Sequence, residues 1–219
     1  MARIIDYYFT TQSTWAYLGH DAFMAMARRR GAEVRFKPLA LSAVFPETGG
    51  LPLAKRHPSR QAHRLYEMQR WRAQRGLPLE LRPSHFPFDA ALADRVAVAL
   101  ADRPEICARY ASTAMRGVWT NQNLADEAIV RAHVSAAGAD AEATIAAARS
   151  EAVGAAYAAN AQEGMAAGVF GSPSYSRRRS VLGSGPARSA RRRAGGRAGG
   201  LSRPYVTTRQ RRGRRPPPA

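Results

Sequence analysis

The feature that most limits the folds open to this chain is its beginning, where a strand pattern, a helix pattern and a second strand pattern follow one another before residue 40. Arg3 to Thr10 carries Ile4, Ile5, Tyr7, Tyr8 and Phe9, the β-branched and aromatic set that a pleated strand favours. Thr11-Gln12-Ser13-Thr14 then supplies hydroxyls suited to a turn or a helix cap. From Trp15 to Arg30 the apolar Trp15, Leu18, Ala22, Phe23 and Met26 recur at helical spacing, and Arg28-Arg29-Arg30 ahead of Gly31 suits a helix end. Glu33 to Leu39 reads as a second strand. Two strands joined through a helix must pair parallel with a right-handed crossover, so the fold class is α/β.

After Pro38 the period is lost, and Phe45-Pro46-Glu47-Thr48-Gly49-Gly50-Leu51-Pro52 reads as a loop. Helices are expected near 58–75, 89–102, 105–118, 124–137 and 140–150, in segments rich in Ala, Leu, Arg and Glu and parted by Gly, Pro or Asx stops. A last helix near 151–167 ends at Gly168, and Val169 to Tyr175 leads into another strand. The expected organisation is therefore an α/β unit made of residues 1–40 and 151–175, with a mainly helical insertion over 41–150. A chain of 219 residues suits one domain carrying such an insertion.

Charge divides the chain differently. The 34 Lys and Arg exceed the 16 Asp and Glu by 18, yet all the acidic residues precede residue 176. Residues 176–219 hold 14 Arg, 7 Gly, 5 Pro and 5 Ser with few large apolar side chains, a composition that cannot bury enough surface to offset the entropy of ordering. A disordered tail is expected there. Its arginine blocks would attract polyanions, nucleic acid included, only nonspecifically.

A single cysteine, Cys107, excludes an internal disulfide, a CxxC redox pair and a cysteine-rich zinc site. On its Ala-rich segment it suits a small core residue better than a nucleophile. The five histidines show neither HxxxH nor HExxH spacing, so no metal site is expected. Met1-Ala2-Arg3-Ile4-Ile5-Asp6 lacks the layout of an export signal, and no apolar run approaches the roughly 18 residues of a membrane span, so a soluble cytoplasmic protein is expected.

Tyr8-Phe9-Thr10-Thr11-Gln12-Ser13-Thr14-Trp15-Ala16-Tyr17-Leu18-Gly19 resembles the branch of DsbA-like thioredoxin folds that contains the 2-hydroxychromene-2-carboxylate isomerases and the kappa-class glutathione transferases. The family's serine is Ser13, and its usual following proline is replaced by Thr14. The resemblance continues through Phe36-Lys37-Pro38-Leu39, the loop from Phe45 to Arg56, Pro87-Phe88-Asp89 and, most specifically, Gly168-Val169-Phe170-Gly171-Ser172-Pro173-Ser174-Tyr175, and covers residues 3–175. It implies a thioredoxin-like fold with a helical insertion domain.

A hydroxyl where a strand hands over to a helix lies beside unpaired backbone N–H groups and the positive end of the helix dipole, a setting that stabilises a thiolate. Ser13 can donate to such a sulfur but cannot form a disulfide, so the thiol must be borrowed. The resemblance implies that the thiol is glutathione's. An ordinary N-cap is the plainer reading of Ser13 on this motif alone. The resemblance further implies that Pro173 is cis and that the backbone of Ser172 pairs with the glutathione peptide. Lys55, with Arg56 behind it, suits a carboxylate of glutathione or substrate as well as it suits a solvated surface position. Trp119-Thr120-Asn121-Gln122-Asn123 fits either a pocket lining or a packed helix end.

The activity implied is a glutathione-dependent cis–trans isomerisation in aromatic compound catabolism, acting on a small aromatic substrate, in a protein whose relatives are often homodimers. A kappa-like transferase or a DsbA-like oxidoreductase relative is the alternative, and nonspecific nucleic-acid binding through the tail is a second.

Beyond Tyr175 the family continues with two strands ending in Phe-Trp-Gly-x-Asp-Arg-Leu and a closing helix, which this chain lacks. Residues 176–188 can be encoded so that the frame one base later reads R-V-D-G-A-F-W-G-Q-D-R-L, with an amphipathic helix following. Residues from about 176 are therefore expected to be a frameshifted tail, leaving the fold without its C-terminal strands and helix and the activity weak or absent. Resequencing tests the first part, since DNA that cannot yield the family motif in the neighbouring frame removes the idea. A frame-restored chain should melt higher and bind glutathione more tightly than this one; equal behaviour of the two refutes the second part.

Overall fold

A computed structural model of the chain describes residues 3–178. The opening is the expected unit: β1 (Arg3–Phe9), α1 (Thr14–Arg29) and β2 (Ala32–Pro38). Ser13 caps α1, the backbone N–H of Arg30 closes its last turn, and Gly31 turns the chain at a φ of 57°. β1 and β2 pair in parallel with Tyr7 beside Phe36. β3 (Ser174–Arg178) lies antiparallel on the other side of β1, with Tyr175 beside Tyr7, which gives the order β2-β1-β3.

Burial follows from that order. As the central strand, β1 is covered on both faces, and Asp6, Tyr7, Tyr8 and Phe9 are all buried. β2 lies at an edge and alternates instead, with Val34, Phe36 and Pro38 inward and Glu33 and Arg35 outward. Tyr7 stacks on Phe9 at 4.6 Å and on Tyr175 at 5.2 Å, so one column of rings ties β3 to the middle of the sheet.

Helices fill the span between β2 and β3. They are α2 (Leu41–Thr48), α3 (Pro58–Arg75), α4 (Ala91–Ala99), α5 (Pro104–Trp119), α6 (Glu127–Ala136), α7 (Ala141–Arg149) and α8 (Glu151–Ala166), with a 3-10 turn at Leu53–Lys55. Sequence punctuation marks their ends. Pro58 and Pro104 stand in the first turns of α3 and α5, where the missing N–H is no loss. Asp126, Asp140 and Ser150 cap α6, α7 and α8. The main core joins Tyr7, Phe9 and Phe23 to Val96, Tyr110, Met115 and Trp119. A smaller cluster on the other face of β1 gathers Tyr8, Leu39, Val44, Ala161 and Val169.

Two expectations are corrected. The segment read as a loop after Pro38 contains α2, with Pro46 inside it, because Val44 packs into the smaller cluster and Gly49 in the left-handed conformation ends the helix. The tail drawn from residue 176 begins too early, since Ser176, Arg177 and Arg178 belong to β3 and pair with Asp6, Ile5 and Ile4. From residue 179 onward the tail, the suspected frameshift and the question of missing strands lie outside the described residues.

α8 approaches β1 through Gly164, where an added Cβ would stand 3.2 Å from the ring of Tyr8 and 3.5 Å from Leu39, both buried. Gly164→Val should therefore lower stability by about 1–3 kcal/mol through overpacking. Gly171→Ala, with open space around its Cβ position, should shift the melting temperature far less. Thermal unfolding of the two variants checks the contrast.

Candidate active site

The chain leaves β1 at Phe9 and enters α1 at Thr14, and the four residues between them are held from three directions. The N–H of Ser13 donates to Thr10 O at 3.0 Å, which tightens the turn. The Ser13 backbone is extended, and its Oγ accepts from the N–H of Ala16 at 3.2 Å, an N-cap bond. The same hydroxyl donates to the backbone carbonyl of Ser172 at 3.0 Å. Ser172 replies through its own side chain, whose Oγ accepts from the N–H of Thr10 at 3.1 Å. The Ser172–Pro173 peptide is cis. Ser13, Ser172 and Pro173 thus meet at one place, brought together across about 160 residues by the pairing of β3 with β1.

Both roles of the Ser13 hydroxyl are filled, and the residue is only 9% exposed. The donor expected to serve a sulfur is therefore already in use. To donate to an incoming sulfur, Oγ–H must turn away from Ser172 O and give up one hydrogen bond, worth about 1 kcal/mol net. The N-cap acceptance from Ala16 can persist through that turn, so the helix end stays intact while its donor is redirected.

Beneath the loop lies a buried carboxylate that the sequence reading passed over. Asp94, in the first turn of α4, accepts from the N–H of Thr11 at 2.7 Å, the hydroxyl of Thr11 at 2.8 Å and the hydroxyl of Tyr157 at 3.0 Å. Burial pushes its pKa up to about 6, against the pull of the hydrogen bonds from Thr11 and Tyr157. The available signal was one acid on the face that also carries Ala93, Val96 and Ala97, since a charge there must have partners.

Arg64 of α3 was missed as well. Its Nη2 donates to Thr14 Oγ1, one residue from Ser13, and its guanidinium lies 5.7 Å from the ring centre of Phe86 and 5.6 Å from that of Trp119. Arg64 stands four residues before Met68, the buried residue of α3, a spacing that puts it on the inner face. Lys55 is exposed at the end of the 3-10 turn, and among the described residues its ammonium group makes no ion pair or hydrogen bond. Arg56 donates to Leu51 O at 2.8 Å and lies over Phe45.

Trp119 is buried at the end of α5 against Phe86. Cys107 is buried too, its thiol donating to Ala97 O at 3.3 Å, and burial raises its pKa well out of the reactive range. Among the described residues no group of three His, Cys, Asp or Glu could hold a metal, and no helix is long and apolar enough to cross a membrane. Two grooves lie away from this site. One of 570 Å³ follows the outer edge of β2, and one of 280 Å³ runs between α1 and α5. The site around Ser13 is a closed clasp of backbone and hydroxyl groups.

The sequence matches the family model of the DSBA-like thioredoxin domain over residues 4–188. Among solved structures the fold is similar to that of a 2-hydroxychromene-2-carboxylate isomerase, at 22% identity and a TM-score of 0.65, covering 78% of this chain and 84% of that one. It is also similar to the cytosolic disulfide reductase DsbM from Pseudomonas aeruginosa, at 18% identity and a TM-score of 0.62, covering 82% and 86%. The same reductase solved with GSH gives 18% identity and a TM-score of 0.58, covering 78% and 84%. No curated protein matches the sequence.

The raised pKa of Asp94 makes the site's footing depend on pH. Between the unfolded value of roughly 4 and the folded value of about 6, the folded chain keeps a proton that the unfolded chain has lost, so stability falls as pH rises through that window. Two units correspond to roughly 3 kcal/mol as an upper figure. Asp94→Asn should flatten the stability profile between pH 4 and 6, while Asp94→Ala should destabilise at every pH by stranding the donors of Thr11 and Tyr157. Chemical denaturation of the three proteins across that range is the measurement.

Proposed function

We propose, from the premise that the chain belongs to the DsbA-like thioredoxin family, that it acts as a glutathione-dependent cis–trans isomerase of the 2-hydroxychromene-2-carboxylate type in the cytoplasm, on a small aromatic substrate with a conjugated carbonyl. The observation that carries the reading is the hydroxyl of Ser13 at the mouth of α1, facing Ser172 and cis Pro173, in a chain whose one cysteine is buried. A thiol–disulfide exchanger needs a reactive sulfur at that helix end. Here an oxygen stands there, which can hold a thiolate but not bond to it.

The residues suit glutathione at its sulfur end. Glutathione supplies a nucleophilic thiol that adds reversibly to a conjugated carbonyl, so that rotation takes place about a single bond. Ser13 supplies the donor that favours the ionised sulfur, and the α1 N-terminus adds its positive end. The Ser172 carbonyl fixes the resting direction of the Ser13 hydroxyl. Lys55, exposed and unpaired among the described residues, is the candidate for a glutathione carboxylate. A kappa-like transferase would use the same groups and differ in releasing a glutathione conjugate. A nucleic-acid role rests on the tail beyond the described residues.

Titration calorimetry with glutathione, joined to thiolate absorbance against pH, tests the reading. Ser13→Ala should raise the apparent pKa of the bound thiol by about 1–2 units and slow isomerisation at neutral pH about 10–100-fold. The lost cap should remove about 1 kcal/mol of stability. Equal thiol pKa and rate in the two proteins would sink the assignment of Ser13.

A further inference from the structure

Arg64 is a cation in need of an anion. It is half-buried, and among the described residues no Asp or Glu forms an ion pair with it. Thr14 Oγ1 is the acceptor it has, and a neutral hydroxyl does not balance a guanidinium. The remaining donors are not sealed away unsatisfied, since neither Nε nor Nη1 is among the buried side-chain atoms that lack a partner. The rings of Phe86 and Trp119 hold the guanidinium plane, leaving it rigid and partly desolvated.

Its neighbours deepen the imbalance. Thr14 opens the 16-residue helix α1, which has no acidic residue in its first turn, so the positive end of the helix dipole adds to the charge. Desolvation, and then repulsion from Arg56, lowers the pKa of Arg64 to about 10, still cationic at neutral pH. A partly dehydrated cation without a counter-ion is costly unless a ligand brings the charge. The fork of N–H groups matches the two oxygens of a carboxylate.

We propose that Arg64 is a carboxylate-binding residue that holds an acidic group of the bound ligand one residue from Ser13, with the Thr14 hydroxyl and the Phe86 and Trp119 rings fixing the guanidinium for it. The site therefore takes an anionic ligand, and Thr14 has a part that the proline usual at its position in the family could not play, because proline offers no side-chain acceptor. This rests on the reading of Ser13 as the reaction centre and adds the group that orients what reacts there. Two carboxylates fit the chemistry, one on the aromatic substrate and one on glutathione.

Binding to the full chain separates the sources. Salicylate serves as a simple aromatic carboxylate and glutathione as the other probe, each measured by calorimetry on wild type, Arg64→Met and Arg64→Lys, with benzyl alcohol as an uncharged aromatic control. Arg64→Met should weaken binding of one probe about tenfold or more and leave benzyl alcohol unchanged, and the probe that responds names the source. Arg64→Lys keeps the charge and loses the fork, so it should fall between, and it stands in if the methionine variant does not fold. Equal affinity of wild type and both variants for both probes overturns the proposal, as does a wild type that binds neither. The Ser13 reading fails separately, through an unchanged thiol pKa in Ser13→Ala.

Discussion

The structure depends on a pair of hydrogen bonds between the two ends of the described chain. Ser13 Oγ donates to the Ser172 carbonyl, and the N–H of Thr10 donates to Ser172 Oγ. Each is worth only about 1 kcal/mol net, as such bonds usually are. Their importance is positional. They set the loop before β3 against the mouth of α1, so a cis proline and a helix-capping hydroxyl face one another. The sheet delivers the two segments, because β3 pairs with β1 and the Tyr7–Tyr175 stack keeps that pairing in register.

Around this clasp the charges are arranged asymmetrically. Asp94 supports the loop from the buried side, and burial, outweighing the hydrogen bonds that favour the anion, raises its pKa to about 6. Arg64 reaches the start of α1 from the helical insertion and remains cationic. The Arg64 guanidinium and the N-terminus of α1 both favour an anionic sulfur or carboxylate at this place. The hydroxyl of Ser13 is engaged while nothing else claims it, yet the bond it would surrender is weak compared with a charge-assisted one.

The helical insertion was legible where punctuation was strong. α3 runs from Pro58 to Arg75 because a proline begins it and Gly76 in the left-handed conformation ends it. α2 was hidden because Pro46 and the Gly49-Gly50 pair read as loop, whereas the burial of Val44 beneath Tyr8 and Leu39 decides for helix. Ser13, Ser172 and Pro173 could be singled out because their motifs are contiguous. Arg64 and Asp94 sit in no motif, and the isolated cation that drew attention, Lys55, stays on the surface.

Local order in the amino acids thus determined the parallel β1–α1–β2 start, the helix ends, the inert cysteine and the hydroxyl at the mouth of α1, because each follows from neighbours a few residues apart. Tertiary structure alone decided that Ser13 donates its hydroxyl hydrogen to Ser172, that Asp94 lies under the loop with a raised pKa, and that Arg64 stands at Thr14 without a counter-ion among the described residues. Those facts depend on which distant surfaces meet and on how much water remains between them, and neither is written in the spacing of residues along a chain.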